Sequence, residues 1–236
     1  FGCSVITLST VVKLRWYHVY PASFVGRFFM EVKMLKLKMP MVETERLILR
    51  PVQLDDAKDM YEYCSDDDVI KYLWFEKHDS VEYSEYIIEK LFLNRKDVGI
   101  PEAYAIVVKE NNKMIGTIDV NQVHFNDVGV IGYVIHKDYW GKGIVTEALE
   151  TLILVLFNYC GFYRLEINHC VDNVGSGRVI EKAGFIQEGR FRRRKKERDG
   201  HRADYIYYGL CKDDEIVKEK YGEEIYEKTI GKQIQS

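Results

Sequence analysis

The chain has 236 residues, of which 47% are hydrophobic, 30% charged and 13% aromatic. That is enough apolar material for a core and excludes wholesale disorder, while only 4 prolines and 17 glycines exclude a collagen-like or low-complexity chain. The net charge of −3 is uneven: residues 1–40 carry six basic side chains and one acid, so the remainder stands at −8, an acidic body that argues against general nucleic-acid affinity.

No apolar run approaches the ~20 residues of a membrane span. The five cysteines (Cys3, Cys64, Cys160, Cys170, Cys211) are odd in number and contain no C-x-x-C pair. The six histidines show no H-E-x-x-H spacing. Neither a disulfide framework nor a metal site is expected, and a reducing, cytoplasmic setting is.

Residues 1–40 read as an extension outside the fold. They hold an apolar stretch without the flanks of a signal peptide and a basic, aromatic group, Arg15-Trp16-Tyr17-His18, whose alternative reading is a binding tail. Residues 46–50 read as a strand ended by Pro51. Asp55 and Asp56 then open a helix running to about Tyr63, and Asp66-Asp67-Asp68 is a loop or a second helix start. Ser80 has the chemistry of an N-cap for a helix over 81–94, with Tyr83, Tyr86, Ile87 and Leu91 at helical spacing. Strands over 103–108, 114–120 and 128–135, separated by Asn111-Asn112 and Asn126-Asp127, form an antiparallel meander by pattern.

Residues 144–160 read as a strong helix, with Ala148, Leu149, Leu152, Ile153, Leu156 and Phe157 on one apolar face. A strand over 164–171 and a helix over 174–183, ended by Gly184, follow. Residues 185–193 and 205–210 read as a closing hairpin, joined by a basic connection, Arg192-Arg193-Arg194-Lys195-Lys196. Residues 214–228 are a polar helix or tail. This order predicts a mixed α/β (α+β) fold, with helices packed on one sheet.

The run 132–148 carries the clearest chemistry. A strand leads into the turn Tyr139-Trp140-Gly141-Lys142-Gly143 and straight into the helix beginning Ile144-Val145-Thr146-Glu147-Ala148. Glycines let a backbone approach an oxyanion closely, and the first N–H groups of the helix then point at it. The run is not a Walker A loop, because no Gly-Lys-Ser/Thr closes it, nor the dinucleotide fingerprint, which would need glycine at Thr146. On its own its alternative reading is a tight strand-to-helix turn without a ligand.

A second run, Asn173-Val174-Gly175-Ser176-Gly177-Arg178-Val179-Ile180-Glu181-Lys182-Ala183-Gly184-Phe185, follows the next strand. With Glu43-Thr44-Glu45-Arg46-Leu47-Ile48-Leu49-Arg50 and the turn at 139–143, it resembles the GNAT superfamily of N-acetyltransferases, and within it the RimJ/RimL-type group. Glu188-Gly189, Gly200 and Asp204 fit that group's closing hairpin, and the resemblance covers about 42–213.

The resemblance implies a twisted, mostly antiparallel sheet that splays at its middle to admit acetyl-coenzyme A. It places the domain at 41–213, between the extension at 1–40 and a C-terminal helix or tail at 214–236. The main chain of Ile135 and Lys137 should lie beside the pantetheine arm. The N–H groups of Trp140, Gly141, Lys142, Gly143, Ile144 and Val145 should cradle the pyrophosphate. Asn173 and Ser176 should sit near the thioester. Two positions depart from the pattern: Asp138 stands where relatives often carry Gln or Arg, and Ile180 where many carry an acid tyrosine. Ser176 is then the nearest acid, its other reading being a helix cap or a cofactor hydrogen bond.

The implied reaction is direct attack of a neutral amine on the thioester. At pH 7 a lysine-like amine is about 4.6 kcal/mol from neutrality, an α-amino group only about 1.1 kcal/mol. A protein N-terminus, such as that of a ribosomal protein, thus needs only a weak base, even an ordered water. Candidate bases are Asp119, His124, His136 and Glu166, with Asp119 and Glu166 on strands able to face an acceptor cleft. Rival readings are a small-amine acetyltransferase acting on a polyamine or aminoglycoside, and a non-catalytic coenzyme A-binding or ribosome-associating module. The basic stretch from Arg190 to Arg198 would guide an acidic substrate or ribosomal RNA, or is simply a solvated loop. No membrane or direct nucleic-acid partner is expected, and a homodimer is left open.

Overall fold

The structure is a computed structural model that describes residues 35–234. The segment 1–34, with the basic group at 15–18, lies outside the described residues. The strands are β1 (Val42–Glu43), β2 (Leu47–Pro51), β3 (Tyr104–Val108), β4 (Lys113–His124), β5 (Val128–Ile135), β6 (Arg164–Cys170), β7 (Ile186–Lys196) and β8 (Arg202–Cys211). They form one eight-stranded sheet in the order β1-β2-β3-β4-β5-β6-β8-β7. The helices are α1 (Ala57–Cys64), α2 (Asp67–Ile70), α3 (Val81–Ile87), α4 (Ile144–Val155), α5 (Val174–Lys182), α6 (Glu215–Tyr221) and α7 (Glu223–Tyr226), with shorter turns between them. No described helix is long and apolar enough to cross a membrane.

Strand alternation divides the core between the two faces of the sheet. In β3, Tyr104, Ile106 and Val108 join one cluster with α4, whereas Ala105 and Val107, with Ala103 just before the strand, join a second with Met60 and Tyr63 of α1. The predicted face of α4 is buried as its spacing requires: Ala148, Leu149, Leu152, Ile153, Leu156 and Phe157 are each at most 1% exposed. Burying one large apolar side chain stabilises by ~1.5–3 kcal/mol, so this helix ties the middle of the sheet together.

The sheet is antiparallel except where β5 meets β6. There the pairing is parallel and covers only Val128↔Arg164, Gly129↔Leu165 and Val130↔Glu166. Beyond Val130, β5 continues to Ile135 paired with β4 alone, and β6 continues to Cys170 paired with β8 alone. The sheet therefore splays, and the facing edges of 131–135 and 167–170 have no ladder partner in each other.

Several sequence expectations move. The fold takes in residues from Leu35 onward rather than from 41: Met39 is 3% exposed, its N–H donates to Glu102 Oε2 at 2.9 Å, and Lys36 N–H donates to Cys160 O. Of the two readings of the C-terminal segment, helix or tail, the structure takes the helix, and Val217, Tyr221, Tyr226 and Ile230 enter the main core. Pro51 is the last residue of β2, not a break after it. The buried stripe of α3 runs through Ser84 and Ile88, at 0% exposure, while Tyr86 and Leu91 are exposed. Ser84 is held in that stripe by a buried hydrogen bond of 2.7 Å between its Oγ and His78 Nδ1. Finally, Arg192 to Lys196 lie in β7 itself, and the connection to β8 is the turn at 197–201.

Candidate active site

The turn between β5 and α4 adopts the conformation its glycines permit. Gly141 and Gly143 have φ of 71° and 76°, in the left-handed region that side-chain-bearing residues rarely occupy. A Cβ on Gly141 would meet no atom within 4 Å, so the loop opens onto free space. Glu147 N–H donates to Gly143 O, closing the first turn of α4. Among the described residues, the N–H groups of 141–146 have no main-chain acceptor. Trp140 does not share this property: its N–H donates to Lys137 O at 3.0 Å and its indole Nε1 to Ile135 O at 3.0 Å. The run of unpartnered N–H groups therefore begins at Gly141, one residue after Trp140. The carbonyls of both Ile135 and Lys137 are engaged, and the Lys137 ammonium pairs with Asp66.

The loop is held from behind by the first motif of the sequence. Arg46 donates to Lys142 O at 2.9 Å and pairs with Glu147 at 2.6 Å, and Thr44 Oγ1 donates to Glu147 Oε1 at 2.5 Å. Burial raises the Glu147 carboxyl, but the hydrogen bonds from Thr44 and Arg46 outweigh it and hold the carboxyl below its ordinary value. The 43–50 stretch and the glycine turn are thus one device.

Across the splay, Asn173 caps α5: its Oδ1 accepts the Ser176 N–H at 3.1 Å. Ser176 Oγ lies 2.7 Å from the Tyr133 hydroxyl, which comes from β5 on the other side of the gap. Burial pushes the Tyr133 phenol up to about 12, with the Ser176 hydrogen bond opposing. Tyr133 is a residue that sequence reasoning missed. The clue available was its place on the strand leading into the glycine turn.

A cavity of about 1050 Å³ opens beside this point, and Tyr133, Asn173 and Ser176 form part of its wall. Asp119 and Glu166 also line it, as their strands predicted. Neither is free. Asp119 is ion-paired with buried Arg95, and Glu166 accepts from Arg164 Nε at 2.8 Å. Burial raises the Asp119 carboxyl against the pull of Arg95. His124 lines the cavity and is exposed, whereas His136 is buried away from it, its Nε2 3.3 Å from Glu62. His78, not anticipated from the sequence, also lines it, and burial lowers its imidazole so that the neutral ring prevails at pH 7. Cys211, Asp213 and Asp214 come together at the end of β8, but Asp214 accepts the Cys211 N–H and Asp213 the Tyr163 hydroxyl. These contacts anchor the strand end.

The arrangement can hold a thioester of coenzyme A. It offers unpartnered N–H groups at a helix N-terminus for phosphates, an unfinished strand edge for an extended amide-bearing arm, and a hydroxyl pair where that edge meets the cavity.

Comparison with known proteins agrees. The chain is 31% identical over 176 residues to an uncharacterized N-acetyltransferase, p20, of Bacillus licheniformis, covering 74% of this chain and 97% of that one. It is 32% identical over 88 residues to the ribosomal-protein-serine acetyltransferase of Escherichia coli, covering 37% of this chain and 49% of that protein. The structure of the ribosomal-protein alpha-N-acetyltransferase RimL, solved with coenzyme A, superposes with a TM-score of 0.66 at 20% identity, covering 73% of this chain and 98% of that one, a likeness of fold. Residues 46–186 match the acetyltransferase (GNAT) domain, so the splayed sheet and its glycine cradle belong to a member of the GNAT family, an N-acetyltransferase that uses acetyl-coenzyme A as cosubstrate.

Proposed function

We propose that the acceptor is the α-amino group of a polypeptide N-terminus, such as that of a ribosomal protein, and that Ser176 is the acid of the reaction. One observation carries the choice of acceptor: both carboxylates of the cavity are ion-paired, Asp119 with Arg95 and Glu166 with Arg164, which it shares with Glu188. No strong base is left to strip a lysine-like amine, whereas an α-amine needs about 1.1 kcal/mol to become neutral. Water, or neutral His78 or exposed His124, suffices for that proton. The E. coli relative that acts on ribosomal-protein serine supports the same reading. Free Cys64, Cys160, Cys170 and Cys211 fit a reducing, cytoplasmic setting.

In this reading the N–H groups of Gly141, Lys142, Gly143, Ile144 and Val145 bind the pyrophosphate. The pantetheine arm runs past Ile135 and Lys137 along the unpaired edge of β5. Asn173 fixes the start of α5 and so the place of Ser176. The amine nitrogen forms a bond to the thioester carbon and loses a proton to water or the base. The carbon–sulfur bond breaks, and the leaving thiolate takes a proton from Ser176 Oγ, which recovers one from Tyr133 or solvent.

Release of coenzyme A thiol, measured with peptides bearing free N-termini, polyamines and aminoglycosides, tests the proposal. Turnover of peptides alone, lost when their α-amine is blocked, is the expected result. Turnover of polyamines or aminoglycosides with none on peptides assigns a small-amine acetyltransferase instead.

A further inference from the structure

The basic run in β7 has no part in the reaction above, yet the structure brings it to the acceptor. Four cations line the cavity, Lys90, Arg95, Arg194 and Lys195, against the two carboxylates Asp119 and Glu166. The two carboxylates offset only part of that charge. Asp119 is paired with Arg95, and Glu166 shares Arg164 with Glu188, so the four lining cations exceed the lining carboxylates by two. Lys90 and Lys195 face aromatic rings instead, their ammonium groups 5.9 Å from the Tyr86 ring centroid and 5.7 Å from that of Tyr205. Among the described residues Arg194 meets no carboxylate. Lys90 enters from the turn that continues α3, and Arg194 and Lys195 from β7, so uncompensated positive charge stands at two separate parts of one wall. A cleft of one sign concentrates ligands of the other.

This charge is not placed for the phosphates of the cosubstrate. The residues 141–146 are outside the cavity wall, which meets the cosubstrate's path along the unpaired edges 131–134 and 167–170 and at Asn173 and Ser176. The cations therefore face whatever brings the amine. We propose that the acceptor carries anionic groups close to its amine, either the carboxylates of acidic residues just after a polypeptide N-terminus or a phosphate on a small amine. The inference rests on the acetyl-transfer reading and narrows its acceptor. It disfavours polycations, which would enter against like charge.

The test uses the full chain and two peptides with the same first two residues, followed by glutamates in one and lysines in the other. A second pair is phosphoethanolamine and ethanolamine. The glutamate peptide should show kcat/KM higher by about tenfold or more at low salt, with the ratio shrinking as salt rises. The double variant Arg194→Glu/Lys195→Glu should erase that preference through KM, with kcat and the KM for acetyl-coenzyme A little changed. Lys90→Glu, on another part of the wall, should act in the same direction. Preference for phosphoethanolamine over ethanolamine, without peptide turnover, keeps the anionic chemistry and assigns a small phosphorylated amine. Equal use of both peptides and of both small amines overturns the proposal, as does a preference that the charge reversals leave intact. If no amine is acetylated, the transfer reading fails by itself. Binding of the same peptides in N-acetylated form, followed by fluorescence anisotropy, then decides: equal affinity for the acidic and basic forms overturns the proposal.

Discussion

The contact between Tyr133 and Ser176 joins two residues 43 positions apart, across a gap that the backbone itself does not bridge. A phenol pushed up to about 12 stays protonated through the neutral range, so Tyr133 can donate to Ser176 Oγ and leave the serine proton free to turn toward a thiolate. Ser176→Ala should lower kcat by ~10²-fold or more while the KM for acetyl-coenzyme A hardly moves. Tyr133→Phe should lower kcat by less, because solvent can replace the second donor. Steady-state kinetics on a peptide acceptor checks both, and wild-type kcat in Ser176→Ala would remove the serine from the chemistry. Ser176 was legible because its setting is local, one turn after the cap residue Asn173. Tyr133 was not, because its role exists only once β5 and α5 face each other. Asp119 was legible as a cavity residue but not as a paired one, since Arg95 lies 24 positions earlier in a short turn that carries no periodic pattern.

Between elements, the link that matters most ties the β1–β2 hairpin to the N-terminus of α4. Glu147 receives Thr44 Oγ1, the Arg46 main chain and the Arg46 guanidinium, and Arg46 also fixes the Lys142 carbonyl. Because the folded carboxyl titrates below its ordinary value, its contribution is present above the unfolded pKa and is lost as pH falls through the folded one. The melting temperature of Glu147→Gln should therefore fall short of wild type at pH 7. The gap should close below about pH 4, near the ordinary glutamate value. Thermal melts of both proteins across that range check this, and a gap that ignores pH would show that the charge of Glu147 is not what holds the turn. The sequence displayed both halves of this clamp as motifs, 43–50 and 139–148, but not their contact. Helix α3 shows the opposite case, a pattern that misleads: Tyr86 and Leu91 suit an apolar stripe, yet they are exposed while Ser84 is buried against His78. A hydrogen-bonded serine inside a helix face leaves no hydrophobic signal.

For the molecule as a whole, the main surprise is the C-terminal segment. Its composition is polar, but Val217 and Tyr221 lie four apart in α6, and Tyr226 and Ile230 four apart after Gly222 starts a new helix. The change of phase at Gly222 breaks the periodicity that would have announced one continuous amphipathic helix. Tyr221 is 1% exposed and its hydroxyl donates to Ala183 O at 2.8 Å, at the end of α5. Tyr221→Ala should destabilise the fold by ~3–5 kcal/mol, read as a lower denaturant midpoint, and an unchanged midpoint would return the segment to the status of a tail. The meander, the long helix and the closing hairpin were all legible because each has its own pattern. The splay was legible only through the resemblance, since three rungs of parallel pairing leave no mark in either strand.

The outer margin of the sheet bears on how copies of this chain meet. Strand β7 is the edge strand there, 11 residues long and almost wholly exposed, with six arginines and lysines and a single acid. A long exposed edge invites the same edge of a second molecule, and self-association of that kind grows into fibres or precipitate. Here antiparallel pairing of two β7 strands about their basic halves, 190–196, would set Arg190 against Lys196, Arg192 against Arg194 and Arg193 against its own copy. The basic half of this edge thus resists pairing with its own copy in that register, whatever surface copies of the chain meet by.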